Sequence, residues 1–375
     1  MKRRDFFAVA GAAPMAWAAP PAPNAPVSIV KVPDYSGDVV AAMGELFDQI
    51  GGLGRLVKNK TVTVKVNFTG SPGLRLKGRA LGITHYTHPK TIGAMAYLMH
   101  RAGAKRIRFV ESAWATAGPL EEYMAEAGWN VRSLMNAAPN VEFVNTNSRG
   151  TYKQYARLKA SHGGYIFPGF DLNASYVETD VFVSMAKLKN HATCGVTLSM
   201  KNCFGNTPAS IYGDSAGVDE PNENPTAGRG VICHAGQRQP SKSALPELNP
   251  KSPRDAFYRM PRITVDVVAS RPIDLAFIDG IETMTGGEGP WIENSGVAVV
   301  KPGILLAGTN CVTTDTVATA CMGYDPRAPK GKFPFAKCDN SLLLAEQAGL
   351  GTTDLSRIEV TGVPIREAVY RFPNV

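Results

Sequence analysis

The 375-residue chain contains no C-x-x-C pair; its six cysteines, Cys194, Cys203, Cys233, Cys311, Cys321 and Cys338, each stand alone. That excludes ferredoxin-type and zinc-ribbon spacings, so no iron–sulfur cluster is expected. An even number of cysteines leaves three outcomes open: buried free thiols, disulfides, or one cysteine with chemistry of its own. Beyond the N-terminal segment no run approaches the roughly 18 apolar residues that cross a bilayer, so the mature chain is expected to have no stable membrane anchor. Aromatics are few, at 8%, and no basic stripe is interleaved with them, which argues against a nucleic-acid partner. The net charge of +8 still allows a locally basic cleft for an anion. No internal repeat is present, which removes solenoid and propeller architectures.

What is present begins with an address. Arg3-Arg4 in Met1-Lys-Arg-Arg-Asp-Phe-Phe, an Ala/Gly-rich apolar run and Ala16-Trp17-Ala18 read as a twin-arginine signal over residues 1–18 with a small-residue cleavage site. The expected partner is the twin-arginine translocase, the mature chain starts near Ala19, and the location is periplasmic or extracellular. This route carries folded cargo, which suits a bound cofactor. Residues 19–26, rich in Pro, Ala and Asn, read as a tether.

From Val27 onward the pattern is that of an α/β protein. Val27–Val32, Thr61–Phe68, Arg106–Glu111, Val141–Val144, Val177–Met185, Ile273–Gly280 and Ile304–Ala307 have strand character. Pro89–Ala102, Glu121–Ala127, Asp315–Met322 and Leu342–Ala348 have helical spacing, while Ile263–Val268 fits a helix or a strand. Strand, helix, strand over a few dozen residues is a parallel βαβ unit with a right-handed crossover. The expected fold is a layered, mostly parallel sheet with helices on both faces. It forms one domain over 27–375, with lobes at about 27–170 and 171–375. A Pro/Gly/Asn/Ser-rich insertion at about 206–261 is too long for a plain connection and reads as a lid carrying His234.

Chemistry concentrates at strand ends, where α/β sheets form ligand crevices. The densest cluster is Lys187-Leu-Lys189-Asn-His191, followed by Thr197 and Lys201-Asn202-Cys203-Phe204-Gly205. Lysines beside other cations serve as bases, nucleophiles or anion ligands, and His191 is the candidate general acid–base. A second group, Thr84-His85-Tyr86-Thr87-His88-Pro89, stands before a helix and places His88 near Glu111 at the next strand end. A third, Asp279-Gly280 with Gly286-Gly287-Glu288-Gly289-Pro290, offers carboxylates and close backbone approach. Asp315 opens a helical stretch and is a fourth polar contributor. Asn67 lies at the tip of the second strand, so Asn67, Glu111, Lys187 and Asp279 are expected to converge.

In this order, Lys65-Val-Asn, His88-Pro89, Gly103-Ala104 with Glu111, the Lys187–His191 and Thr197–Gly205 clusters, Asp279-Gly280, Gly286–Pro290, and Asp315 with Gly323-Tyr-Asp-Pro resemble the domain of unknown function family 362 (DUF362), over roughly Val62 to Gly362. Some members carry an iron–sulfur segment; this chain lacks it. The resemblance supports the fold and the residue set but implies no reaction. The leading expectation is an enzyme acting on a small anionic or oxygenated substrate. His191 would be its acid–base group, Lys187, Lys189 and Lys201 would steady negative charge, and Asn67, His88, Asn202, Gly286 and Gly287 would contact substrate. Glu111, Asp279 and Asp315 are candidate ligands of a divalent metal. Lysine with histidine also suits removal of a proton next to a carboxylate. The alternatives are a non-catalytic binder of an anion or metal complex and a redox-accessory protein. A carboxylate tuning His191 would favour the enzyme.

Overall fold

A computed structural model describes residues 23–291 and 296–374. The twin-arginine segment and the first residues of the tether lie outside the described residues.

The chain builds one eight-stranded sheet. Its strands are β1 (Val27–Lys31), β2 (Thr61–Lys65), β3 (Arg106–Glu111), β4 (Val141–Asn145), β5 (Val181–Lys187), β6 (Leu275–Gly280), β7 (Ile304–Gly308) and β8 (Val360–Gly362). Their order across the sheet is β8-β1-β7-β6-β5-β2-β3-β4. The run β6-β5-β2-β3-β4 is parallel throughout, whereas β7 lies antiparallel to both neighbours. The fold is therefore α/β with a mostly parallel sheet, and the parallel run brings the carboxyl ends of β2, β3, β5 and β6 to one edge.

Helices cover both faces because the central strands are apolar on both sides. The principal ones are α1 (Val39–Asp48), α2 (Pro89–Arg101), α3 (Leu120–Glu126), α4 (Leu198–Asn202), α5 (Ala256–Ser270), α6 (Cys311–Cys321) and α7 (Ser341–Gln347). Along β6, Leu275 and Phe277 join the core shared with α1 and α2, and Ala276 and Ile278 join the core shared with α5 and α6. This alternation is the period of a strand buried on both faces. The six cysteines are buried and free.

Local chemistry sets the element ends. Pro89 opens α2, where its missing N–H is harmless, and the His88 side chain caps that helix by accepting from the Lys90 N–H at 3.1 Å. Residues 263–268, open to helix or strand by sequence, belong to α5. That helix starts at Ala256, with the Asp255 carboxylate accepting from the Phe257 N–H. Pro261 thus sits inside a helix rather than at the end of the irregular stretch. Strand β5 begins at Val181 instead of Val177, because Ala174–Tyr176 close a 3-10 turn first. Helix α1, unread in sequence, follows an Asp38 cap and buries Val39, Met43, Leu46 and Phe47.

Candidate active site

The sheet edge separates the expected site into two networks. The first is closed. Lys187 ends β5 directly opposite Asp279 of β6, and the two side chains pair at 3.2 Å with no solvent exposure. The Lys187 ammonium also donates to Tyr35 Oη at 2.8 Å, the Gly82 carbonyl at 2.8 Å and the Glu282 carbonyl at 2.7 Å. Asp279 accepts from Tyr35 Oη at 2.7 Å, and the His88 ring stacks on Tyr35 with centroids 3.5 Å apart. Burial lowers the His88 imidazole to about 3, with Lys187 and Lys90 acting in the same sense against Asp279. An ammonium with four acceptors has no donor left for a ligand. This cluster ties the segments of Tyr35, Gly82, Lys187 and Glu282 together.

The second network lines a cleft of about 570 Å3. Its floor is Lys65, at the end of β2, whose ammonium pairs with Glu111 at 2.7 Å and donates to the Val66 carbonyl at 2.6 Å. Glu111 also accepts from the Phe68 N–H at 2.8 Å and the Ser112 N–H at 3.0 Å. Asn202 Oδ1 accepts from Lys65 at 3.3 Å and from Asn67 Nδ2 at 3.1 Å, and its Nδ2 donates to Ser184 at 3.0 Å. Gly205 is required above this floor: a Cβ there would stand 2.6 Å from Glu111 Oε1 and 2.7 Å from Lys65 Nζ.

The walls carry the available charge. The Lys201 ammonium rests 4.6 Å from the centre of the Phe204 ring, and the Arg229 guanidinium 5.6 Å from that centre. Arg229 is held by the Thr207 and Ser112 carbonyls at 2.8 and 3.1 Å. Among the described residues neither cation forms an ion pair. Asn67 Oδ1 and Thr197 Oγ1, both of residues lining the cleft, are buried without a hydrogen-bond partner among the described residues. Unmet buried polar atoms beside unpaired cations are what a polar ligand satisfies.

Lys189 enters the same cleft from just beyond β5. It is 1% exposed, and its amine donates to the Glu288 carbonyl at 2.7 Å. Burial brings this amine down to about 7; Lys201 and Lys187 act in the same sense, and the Glu288 carboxylate opposes them. Glu288 Oε1 lies 3.2 Å from His191 Nε2 and 3.7 Å from His234 Nε2. Burial would raise this carboxyl, but His191, His234 and Lys201 outweigh burial and hold it well below its ordinary range. His191 Nδ1 accepts from the Thr193 N–H at 3.1 Å, so in the neutral ring the proton sits on Nε2, directed at Glu288. Burial, with Lys201, keeps that ring neutral, well below its usual range.

The mouth is apolar. Trp114 is 49% exposed, Leu74 45% and Trp291 36%. Trp291 lies over Gly70 and Gly289, at either of which a Cβ would collide with the indole, so the ring is positioned by its glycines.

Of the residues anticipated from sequence, Asn67, Glu111, Lys189, His191, Lys201 and Asn202 line this cleft, whereas Lys187, Asp279 and His88 belong to the closed cluster. Gly286 and Gly287 line a smaller chamber of about 180 Å3 that shares His191 with the cleft. The Asp315 carboxylate is taken by the start of α4, accepting from the Ser199 N–H and the Met200 N–H at 2.9 Å each. The three carboxylates suggested for a metal therefore lie in three separate networks. Among the described residues no three His, Cys, Asp or Glu side chains group to hold one. The His191 tautomer also directs a proton, not a lone pair, at Glu288. Lys65, Arg229, His234 and Glu288 complete the cleft; Glu288 was among the carboxylates of the Gly286–Pro290 group and His234 the histidine of the expected lid, whereas Lys65 and Arg229 were not singled out as ligands. The signal for Glu288 was present, a lone carboxylate in a run of glycines.

A mostly parallel α/β sheet with a polar cleft at its carboxyl edge is the class that this fold and site define. Within that class the family is specific: the family model for Domain of unknown function (DUF362) matches residues 62–320, and the chain belongs to this family. It is also 28% identical over 187 residues to Thylakoid-associated protein sll1697 of Synechocystis sp. (strain ATCC 27184 / PCC 6803 / Kazusa), a match covering 49% of this chain and 51% of that one. The chain thus spans about half the length of this curated relative. No described helix is long and apolar enough to cross a membrane.

Proposed function

We propose that the protein is an enzyme acting on a small anionic, oxygenated substrate, with Lys189 as the proton acceptor. One observation carries this reading: a buried amine, brought to about 7, faces a cleft whose two nearby cations, Lys201 and Arg229, form no ion pair among the described residues. Lys201 and Arg229 would bind the anion over the Phe204 ring, and Asn67 and Thr197 would meet its oxygens. A base near 7 is suited to removing a proton next to a carboxylate at neutral pH, because its free form is populated without loss of basicity. The Glu288 carboxylate, between two imidazoles, would hold the His191 Nε2–H beside the cleft. His191 acts in this reading through Glu288 rather than as the first base.

A binder would need the cations but not Lys189. The test is calorimetric titration with 2-hydroxy, 2-amino and 2-oxo acids, alongside proton magnetic resonance of each bound acid in deuterium oxide. Loss of the C2 hydrogen signal of a 2-hydroxy or 2-amino acid, or of the C3 hydrogens of a 2-oxo acid, with wild type but not with Lys189→Met supports the enzyme. Equal binding to both proteins with no exchange in either supports the binder.

We also infer export by the twin-arginine route, supported by Arg3-Arg4 and the residues that follow, with the translocase as partner and the periplasm as the place of work. Cell fractionation of an Arg3→Lys, Arg4→Lys variant tests it: retention in the cytoplasm supports the route, and unchanged export removes it.

A further inference from the structure

Lys189 differs from the other lysines of this sheet edge in how few partners it has. Lys65 pairs with Glu111 and Lys187 pairs with Asp279, whereas Lys189 donates to one backbone carbonyl and makes no ion pair among the described residues. Lys201, unpaired as well, shares the cleft with it. A lysine withdrawn from water beside a second cation is the arrangement that makes an amine nucleophile. The cleft also provides what a carbonyl substrate needs on either side of the reacting carbon. Two cations can seat a carboxylate, and Asn67 Oδ1 and Thr197 Oγ1, without a partner among the described residues, can receive a hydroxyl and the proton it carries.

We propose that Lys189 forms an imine with a small oxo acid whose carboxylate is held by Lys201 and Arg229, a substrate class that rests on the reading of the cleft as an anion-handling enzyme site. The Nζ lone pair forms a bond to the carbonyl carbon as the C=O π pair moves onto oxygen. A proton passes from nitrogen to that oxygen, giving a carbinolamine. The nitrogen lone pair then expels hydroxide, which leaves as water with a proton that the nitrogen gives up. Amine and oxo acid become imine and water, with nothing oxidised or reduced. The imine acidifies the hydrogens on C3 of the oxo acid, the carbon beyond the imine carbon; with Lys189 held in the imine, the base for that proton is another group of the cleft.

The experiment incubates the full-length protein with pyruvate and sodium cyanoborohydride at neutral pH and maps the reduced adduct by peptide mass spectrometry. Calorimetry with pyruvate and lactate runs in parallel. One adduct is expected, at Lys189, exceeding any other lysine at least about tenfold, since an ordinary amine is almost wholly protonated at neutral pH. Lys189→Met and Lys189→Arg should both abolish it while keeping the wild-type circular dichroism, and Lys105→Met, on the exposed surface, should retain it. An adduct spread over surface lysines, or surviving in Lys189→Arg, overturns the nucleophile. So does an unmodified protein that binds pyruvate, and in that case the anion site stands. If neither acid binds, the anion site fails and the imine with it.

Discussion

Lys187 and Lys189 stand two positions apart on one strand end, and both are essentially withdrawn from water, yet they do opposite work. Lys187 has four acceptors, one of them the carboxylate directly across the sheet, so its charge is neutralised and fixed. Lys189 has one carbonyl and open space, so its charge is unsupported and its proton leaves near neutral pH. Strand alternation would return Lys189 to the face of Lys187, but β5 ends at Lys187; beyond it the chain leaves the strand, so Lys187 meets Asp279 of β6 while Lys189 reaches the cleft. Burial alone thus does not mark a functional lysine. What marks it is how far the surroundings fall short of satisfying the ammonium.

The sharpest way to break that comparison is to unpair the closed cluster. Asp279→Asn leaves the Lys187 charge buried with only neutral partners, and losing one member of a buried pair costs about 3–5 kcal/mol. Urea unfolding should register a loss of that size, and joint replacement, Lys187→Met with Asp279→Leu, should return much of it. If Asp279→Asn instead leaves stability intact and removes ligand binding, the cluster is not the fastening described here. Gly205→Ala comes next. Its methyl would crowd the Lys65–Glu111 pair, and overpacking of this kind costs about 1–3 kcal/mol. A lowered melting temperature with weakened anion binding is expected; a neutral result would mean that the floor can shift.

The open side should show the reverse pattern. Lys201→Gln removes a cation that makes no ion pair among the described residues and rests on the Phe204 ring, so unfolding should change by about 1 kcal/mol, well short of Asp279→Asn. Binding of a small carboxylate should weaken by about tenfold or more, the value of one charged hydrogen bond. A stability loss approaching that of Asp279→Asn would erase the distinction between the two networks.

The fold was largely legible because β-branched runs punctuated by glycine fix the strands, and Pro89 and Gly103 bracket α2. The sequence also placed Lys187, Lys189 and His191 at a strand end, which is where they lie. It could not assign each lysine to its network, because that depends on Tyr35 and the Gly82 and Glu282 carbonyls arriving from distant segments. Arg229 was illegible, and His234 could be placed only on an expected lid, for a related reason. They reach the cleft from an irregular stretch whose path no periodicity describes, and both meet Phe204 there. Asp315 looked like chemistry because a carboxylate at a helix start is ambiguous; the α4 amides that occupy it come from elsewhere in the chain.

The effect most specific to Lys189 is its pH dependence. In the unfolded chain its amine titrates at the ordinary 10.5, and in the folded protein at about 7. Below about pH 7 both states are protonated, and the folded state bears the full penalty of a buried charge. Between about 7 and 10.5 the unfolded state binds more protons, so stability rises with pH across that window. The groups that set the folded value are Glu288, Lys201 and Lys187, of which only Glu288 opposes the shift. Wild type should therefore gain stability relative to Lys189→Met as pH rises from about 7 towards 10.5. Urea midpoints at several pH values measure this difference. Parallel curves for the two proteins would mean that Lys189 keeps its proton in the folded state, and the contrast with Lys187 would then rest on geometry alone.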